Sequence, residues 1–335
     1  MTSIITNNPA TAALATLRGI SSQLEDSQNR ISTGYRVETA KNNAAYWSIA
    51  TTMRSDTAAI SAVRDALALG AATADTAYSG LSQAADLLAE VKSRLVAARE
   101  PGVDRGKVGT EIEELKNQLM STATSATFNA QNWVYYEKSD SPWLTGVKEV
   151  VGAFNRNSDN TVSVKVLEYG SNSVTALDPP FALIDASDAT HGEFGILTSE
   201  RYSVALGQTT GWIMLDMGTR SNSYSSATLP QQEITLTSAT TDAELTEMLD
   251  VVDAMLLDVT DVAGTLGALA TRINMQSEFA DDLTDTIDKG VGRLVDADMN
   301  AESTRLKVLQ GQQSLGLTSL SIANSNPQSV LKLLQ

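Results

Sequence analysis

The sequence predicts a mainly α protein: a long antiparallel helical bundle and a terminal coiled coil formed by both chain ends, with a small β-rich (α+β) domain inserted. Three observations predict it. Prolines fall only at positions 9, 101, 142, 179, 180, 230 and 327, leaving residues 10–100 and 231–326 free of the residue that removes a helical N–H and clashes with the preceding turn. Both windows space their apolar residues in steps of three and four, the spacing of a helical seam. Between them lie 12 of the 17 aromatic residues, from Phe128 to Tyr224, among short runs of period two.

Taken in chain order, the first stripe is Leu14, Leu17, Ser21, Leu24, Gln28 and Ile31. A second runs Ile60, Val63, Leu67, Ala71, Ala74, Tyr78, Leu81, Ala85, Leu88, Val91 and Leu95, and another helix over 111–120 follows the Pro101-Gly102 turn. Strands are predicted at Val162–Val166, Tyr202–Leu206 and Ile234–Leu236, where apolar and polar residues alternate. The longest seam starts at Leu245, Leu249, Val252 and Leu256, continues through Val259, Leu266 and Ile273, and ends at Leu294. Unbroken, it makes a rod of roughly 75 Å, too long for the inside of a compact domain. The last stripe is Val295, Met299, Glu302, Leu306, Leu309, Gln313, Leu317, Leu320 and Asn324. The two end stripes are diluted with polar and small residues, so they are expected to be mobile in a free chain and ordered in an assembly. Three domains follow: residues 1–40 with 295–335, a stem of 41–138 with 240–294, and an insertion of 139–239 hung on one side of the stem.

With 335 residues, 42% of them hydrophobic and 19% charged, the chain has enough apolar surface to bury a core. It has no cysteine, so disulfides and thiolate chemistry are excluded. A net charge of -16 argues against nucleic acid or anionic lipid as partner, since both require cations to neutralise phosphate. No apolar run of about 18 residues occurs, so membrane insertion is not expected. The first nine residues carry no basic cluster or long apolar stretch, and a cleaved signal peptide is not expected either. Charge is unevenly placed. Residues 240–298 hold 3 bases and 14 acids, whereas residues 1–40 hold 3 of each and residues 299–335 hold 3 bases and 1 acid. Nearly neutral ends can pack against copies of themselves without self-repulsion, while an acidic middle keeps the protein soluble.

Nothing in the sequence converges on catalysis. His191, the lone histidine, stands near Asp185, Asp188 and Glu193, but zinc needs several His or Cys ligands and the spacing does not fit a calcium loop. Gly102-Val-Asp-Arg-Gly106-Lys107-Val108 is one residue short of a phosphate loop and lacks the hydroxyl residue after lysine. The acids from Asp250 to Asp288 read as a solvated helix face. No enzyme, metal or cofactor is expected.

Two segments resemble a known family. Arg30-Ile-Ser-Thr-Gly34-Tyr-Arg36-Val37, then Ala40-Lys41-Asn42-Asn43-Ala44-Ala45, resembles the signature of bacterial flagellins, in which Arg, an aliphatic residue, two hydroxyl residues, Gly, any residue and Arg precede Ala-Lys-Asp-Asp-Ala-Ala. Asn42 and Asn43 replace the two aspartates. Ala323-Asn324-Ser-Asn-Pro327-Gln328-Ser-Val330-Leu331-Lys-Leu333-Leu334 is similar to the flagellin terminus, and Thr127-Phe128-Asn129 to the strand entry after the second core helix. The resemblance, to flagellins such as those of soil alphaproteobacteria, covers about residues 1–137 and 243–335. It implies an extracellular flagellar filament subunit for swimming motility, whose partners are copies of itself, the flagellar type III export apparatus, a chaperone, and cap and hook-associated proteins. It further implies export unfolded and a core interface of Leu14, Leu17, Leu24, Ile31, Leu306, Leu309, Leu317, Leu320, Val330, Leu331, Leu333 and Leu334. Gly34 is expected either to serve a bend or to cap the helix. The alternatives are a hook-filament junction protein, which shares the terminal design, and an adhesin displaying the aromatic-rich insertion.

Overall fold

The computed structural model describes residues 7–136, 147–159, 161–170, 181–186, 195–201, 211–216 and 231–333. Its helices are α1 (Asn8–Thr33), α2 (Ala44–Ala97), α3 (Arg105–Ser125), α4 (Asp242–Val295) and α5 (Met299–Leu333). Between α3 and α4 come β1 (Thr127–Phe128), β2 (Gln131–Asn132), β3 (Tyr135–Tyr136), β4 (Lys148–Arg156), β5 (Val162–Tyr169), β6 (Ile184–Asp185), β7 (Gly211–Ile213) and β8 (Gln231–Glu233). The chain divides into two compact units, residues 1–59 with 282–335, and residues 60–281.

In the second unit the predicted seams meet. Leu67, Leu81, Leu88 and Leu95 of α2 are buried, as are Leu245, Val252, Val259, Leu266 and Ile273 of α4, which recur every seventh residue. Met248, Val251, Met255 and Leu269 are buried beside them, so this face of α4 is wider than a two-helix seam. Its extra width packs in the same core as Ile112 and Leu119 of α3. The pairing is antiparallel and its register is constant. Arg64 meets Asp281 at 2.7 Å, Gly267 lies under the ring of Tyr78, and Lys92 pairs with Asp253, so each advance of 14 residues on α2 matches 14 residues back on α4. Tyr78, a predicted seam residue, is nevertheless 47% exposed. Its ring lies across Gly267, 3.7 Å from where a Cβ would stand. The acid face is also less purely solvated than its sequence implies: Asp253, Asp258 and Asp281 are ion-paired with Lys92, Arg201 and Arg64.

Both helix starts in this unit carry their own caps. The Asp104 side chain accepts from the backbone N–H of Gly106 at 3.0 Å, opening α3. At α4, Thr241 and Glu244 form a reciprocal capping box, with Thr241 N–H on the Glu244 carboxylate at 2.7 Å and Glu244 N–H on the Thr241 hydroxyl at 3.3 Å. Those bonds, the backbone N–H first, hold the Glu244 carboxyl below its ordinary range. The box is therefore complete at neutral pH, and as acid protonates the carboxylate the Glu244 half weakens while the bond from Glu244 N–H to the Thr241 hydroxyl remains.

The chain between α3 and α4 is built from short pairs. β1 and β2 form a hairpin whose turn residues Asn129 and Ala130 both take positive φ, as a type I′ turn requires. β4 and β5 pair antiparallel with an irregularity at Gly152, and β3–β6 and β7–β8 pair in parallel. The predicted strand at 162–166 is the start of β5. That at 202–206 lies outside the described residues. Over 234–236 the alternation of burial holds, with Ile234 and Leu236 buried, but the ladder stops at Glu233. The Ile234 N–H still bonds the Ile213 carbonyl at 2.8 Å, and from α3 buried Lys116 donates to the Ile234 carbonyl at 3.2 Å and to Glu233. Trp212 Nε1 bonds Glu247 of α4 at 3.0 Å, buried, and Arg201 pairs with Asp258, which ties the insertion to the helices.

Gly109 of α3 is needed at this contact, since a Cβ there would lie 2.1 Å from the Leu236 carbonyl oxygen. Gly109→Ala should therefore push α3 off the 234–236 segment and cost about 1–3 kcal/mol despite alanine's better helix propensity. Thermal unfolding of the purified protein checks this, and a raised midpoint would refute it.

Candidate assembly interface

The first unit brings the two ends together. Helix α1 opens on Asn7, whose side chain accepts from Ala10 N–H at 3.2 Å and donates to the Ala323 carbonyl at 3.0 Å. Ser27, twenty residues on, reaches the Glu302 carbonyl at 3.5 Å, so α1 and α5 run antiparallel. Midway the helices approach closely: a Cβ on Gly316 would meet Leu17 Cδ2 at 2.8 Å. Arg30 stands 4.0 Å from Glu302, whose residue is 8% exposed, a charge retained inside an otherwise neutral seam.

The predicted interface residues divide by exposure. Leu17 and Leu309 are buried within the pair, and Leu24, Ile31, Leu306 and Leu320 are half-buried. Leu14 at 42% and Leu317 at 57% remain exposed. Val330, Leu331 and Leu333, like Pro327 and Gln328, sit on the last turns of α5, where side chains fall outside the described residues, and Leu334 lies outside altogether. Lys41 and Asn324 are exposed. Three further exposed apolar residues of α5, Val308, Leu315 and Ile322, were absent from the sequence-derived stripe. The signal was present: they recur every seventh residue, one or two places from residues of the neighbouring stripe, and a single helix can carry two seams.

The motif residues form the junction between helices. Gly34 adopts φ 76°, the left-handed cap conformation, and its N–H bonds the Arg30 carbonyl at 2.9 Å. It both caps α1 and turns the chain. The next residues pair with the matching turn between α4 and α5: Ala297 N–H bonds the Gly34 carbonyl at 2.8 Å, and Arg36 and Val37 N–H groups bond the Val295 carbonyl at 2.7 and 3.1 Å. The Arg36 guanidinium adds the Leu294 carbonyl at 2.7 Å, one of the last carbonyls of α4 that the helix itself leaves unpaired. Val37, Ala50, Val291 and Val295 close a small core beneath. Asn43 accepts from Tyr46 N–H at 3.1 Å and Asn42 from Thr39 N–H at 2.9 Å, so both amides keep an acceptor where the family motif has carboxylates. His191 lies outside the described residues, and among those described no acid or histidine cluster could hold a metal ion.

Comparison with known proteins matches this arrangement at both ends. Residues 4–136 match the bacterial flagellin N-terminal helical region and residues 249–334 the bacterial flagellin C-terminal helical region. The chain is 49% identical to Flagellin C of Rhizobium meliloti (strain 1021), with 100% of each chain aligned. The chain belongs to the bacterial flagellin family. It is also 43% identical to Flagellin A of the same strain over 99% of its length and 100% of that relative's, and 37% identical to a flagellin of Brucella melitensis over 99% of each. Flagellins are the structural subunits of the extracellular flagellar filament, and they assemble with copies of themselves. The chain is accordingly a self-polymerising filament protein of the flagellum and not an enzyme.

Gly34→Val tests the junction. A β-branched residue is strained at positive φ although nothing stands within 4 Å of the Cβ position, so the expected cost is about 1–2 kcal/mol, with Gly34→Asn costing less. Hydrogen exchange of the Val37 and Ala297 amides should accelerate most in Gly34→Val and less in Gly34→Asn; equal protection in all three proteins would refute the role.

Proposed function

We propose that residues 1–40 with 295–335 are the polymerising core of this subunit, that 41–138 with 240–294 form its stem, and that 139–239 form a surface domain dispensable for assembly. One observation carries this reading. Leu14 and Leu317, on helices that already bury Leu17 and Leu309 against each other, remain exposed in a single chain. Each of these leucines, about half exposed, contributes about 1 kcal/mol when a neighbouring copy covers it, and the near absence of net charge at the ends removes the repulsion that would oppose dense packing. The interface so assigned comprises Leu14, Leu17, Leu24, Ile31, Leu306, Leu309, Leu317, Leu320, Val330, Leu331, Leu333 and Leu334. Because the α1–α5 seam is narrow, much of its stability is supplied by neighbours, which favours ordering at a growing tip over assembly elsewhere. A chain of this kind suits export unfolded through the flagellar type III apparatus with a chaperone, followed by addition between cap and hook-associated proteins. Those partners rest on the family alone.

Two variants test the reading on filament seeds. Leu309→Asp buries an unpaired carboxylate in the α1–α5 seam, so filament growth should be lost while the second unit keeps its thermal midpoint. Wild-type yield would sink the pairing. Deletion of residues 140–235 should leave filaments able to grow; if growth stops, assembly depends on the insertion. Extension confined to short caps would instead favour a hook-filament junction role.

A further inference from the structure

Helix α5 carries a second seam on the side turned away from α1. Val308, Leu315 and Ile322 are 52, 71 and 67% exposed and lie seven residues apart. Thr304, Gly311, Thr318 and Ser325 interleave with them, all exposed, so the stripe alternates steps of four and three between large apolar and small residues. Within the chain this arrangement has no return. Gly311 costs about 1 kcal/mol in a helix interior, and a Cβ placed on it would meet nothing within 4 Å. Three large apolar side chains left in water cost more.

The outer face of α1 has the complementary shape. Ala12, Ala15, Gly19 and Ser22 are exposed, in steps of three and four, and Gly19 likewise has nothing within 4 Å of its Cβ position. Charge is complementary as well. The apolar stripe of α5 is preceded by exposed Lys307, the small-residue face of α1 is followed by exposed Asp26, and neither has an ion-pair partner among the described residues.

Resting on the reading that the ends polymerise, we propose that the Val308–Leu315–Ile322 face of one copy seats on the Ala12–Ala15–Gly19–Ser22 face of the next. Copies related by a helical operator keep one polarity, so α5 of one meets α1 of its neighbour antiparallel, as within a chain. Ile322 then stands at Ala12, Leu315 at Gly19, and Lys307 beside Asp26. The contact joins two different faces, as an open-ended polymer requires, whereas a contact of one face with itself closes a dimer. Small residues on one side let the large ones of the other reach the backbone, which gives the contact shape specificity in addition to apolar area.

Seeded growth of the full chain tests this, followed by light scattering and electron microscopy. Leu315→Asp and Gly19→Leu should each stop growth. Both lie on solvent-facing positions, so circular dichroism of the monomer should be unchanged. Lys307→Asp and Asp26→Lys should each slow growth by about tenfold, and the two combined in one chain should recover to within about twofold of the parent, because the pair is restored with reversed sign. Parental growth of Gly19→Leu and Leu315→Asp would overturn the proposal, and so would a charge-swapped double variant no faster than the slower single one. A chain ending at residue 302 separates the two levels. If it still grows filaments, the reading of the ends as the polymerising core falls. If it fails while Gly19→Leu and Leu315→Asp grow normally, only the second seam falls.

Discussion

The constraint on which everything else rests is that an apolar stripe along a helix needs another stripe to cover it. Helices α2 and α4 are 54 residues each, and neither could remain isolated in water with that much leucine and valine on one face. Antiparallel pairing in a constant heptad register meets the requirement, and the ion pairs Arg64–Asp281 and Lys92–Asp253 lie at matching places along it. Being largely exposed, they contribute little energy. Their value is in register, since a slip of one turn would separate each cation from its acid and place Tyr78 away from Gly267.

The same requirement shapes the segment between α3 and α4. Its strands are mostly two or three residues long, too short to be stable as isolated pairs, and they persist because buried side chains fix them to helices. Lys116 illustrates how. A buried ammonium is costly unless its donors are used, and here it serves Glu113 at 3.0 Å, the Ile234 carbonyl, and Glu233. Two of these bonds tie β8 and the residue after it to α3. Trp133 stacks on Tyr169 at 5.5 Å between centroids, and the Tyr169 hydroxyl donates to the Phe181 carbonyl at 2.8 Å. Its burial pushes the Tyr169 hydroxyl pKa well above the ordinary tyrosine value, so this donor stays protonated across the physiological range.

In the first unit the balance is different. The α1–α5 seam buries Leu17 and Leu309 but also Ser27 and Glu302, and large apolar side chains stay in water on other faces. A seam completed only in part within one chain is what a polymerising subunit requires. A fully satisfied pair would have no reason to associate, and a wholly unsatisfied one would aggregate without order. The junction restrains this unit: the turn after α1 and the turn after α4 satisfy each other's backbone groups, so the two ends leave it together.

Much of this was legible in the residues. The steps of three and four located the helices, because a period of 3.6 is a property of a single segment, whereas the proline map bounded them only loosely: α5 continues through Pro327, and the turns after α1 and α4 fall in windows without proline. The charge distribution marked the ends as the part able to pack densely, and the Arg30–Val37 and Asn324–Leu334 motifs placed the chain in its family. Partners were decided only by the tertiary structure. Leu17 and Leu309 are buried while Leu14 and Leu317, on the same sequence-derived stripes, are not, because the direction a helix face points depends on what packs beside it. The Gly109 contact with Leu236, the ion pairs within the acid face and the left-handed turn joining Gly34 to Ala297 are likewise invisible in sequence. Each depends on residues brought together from distant parts of the chain, and periodicity reports only on neighbours.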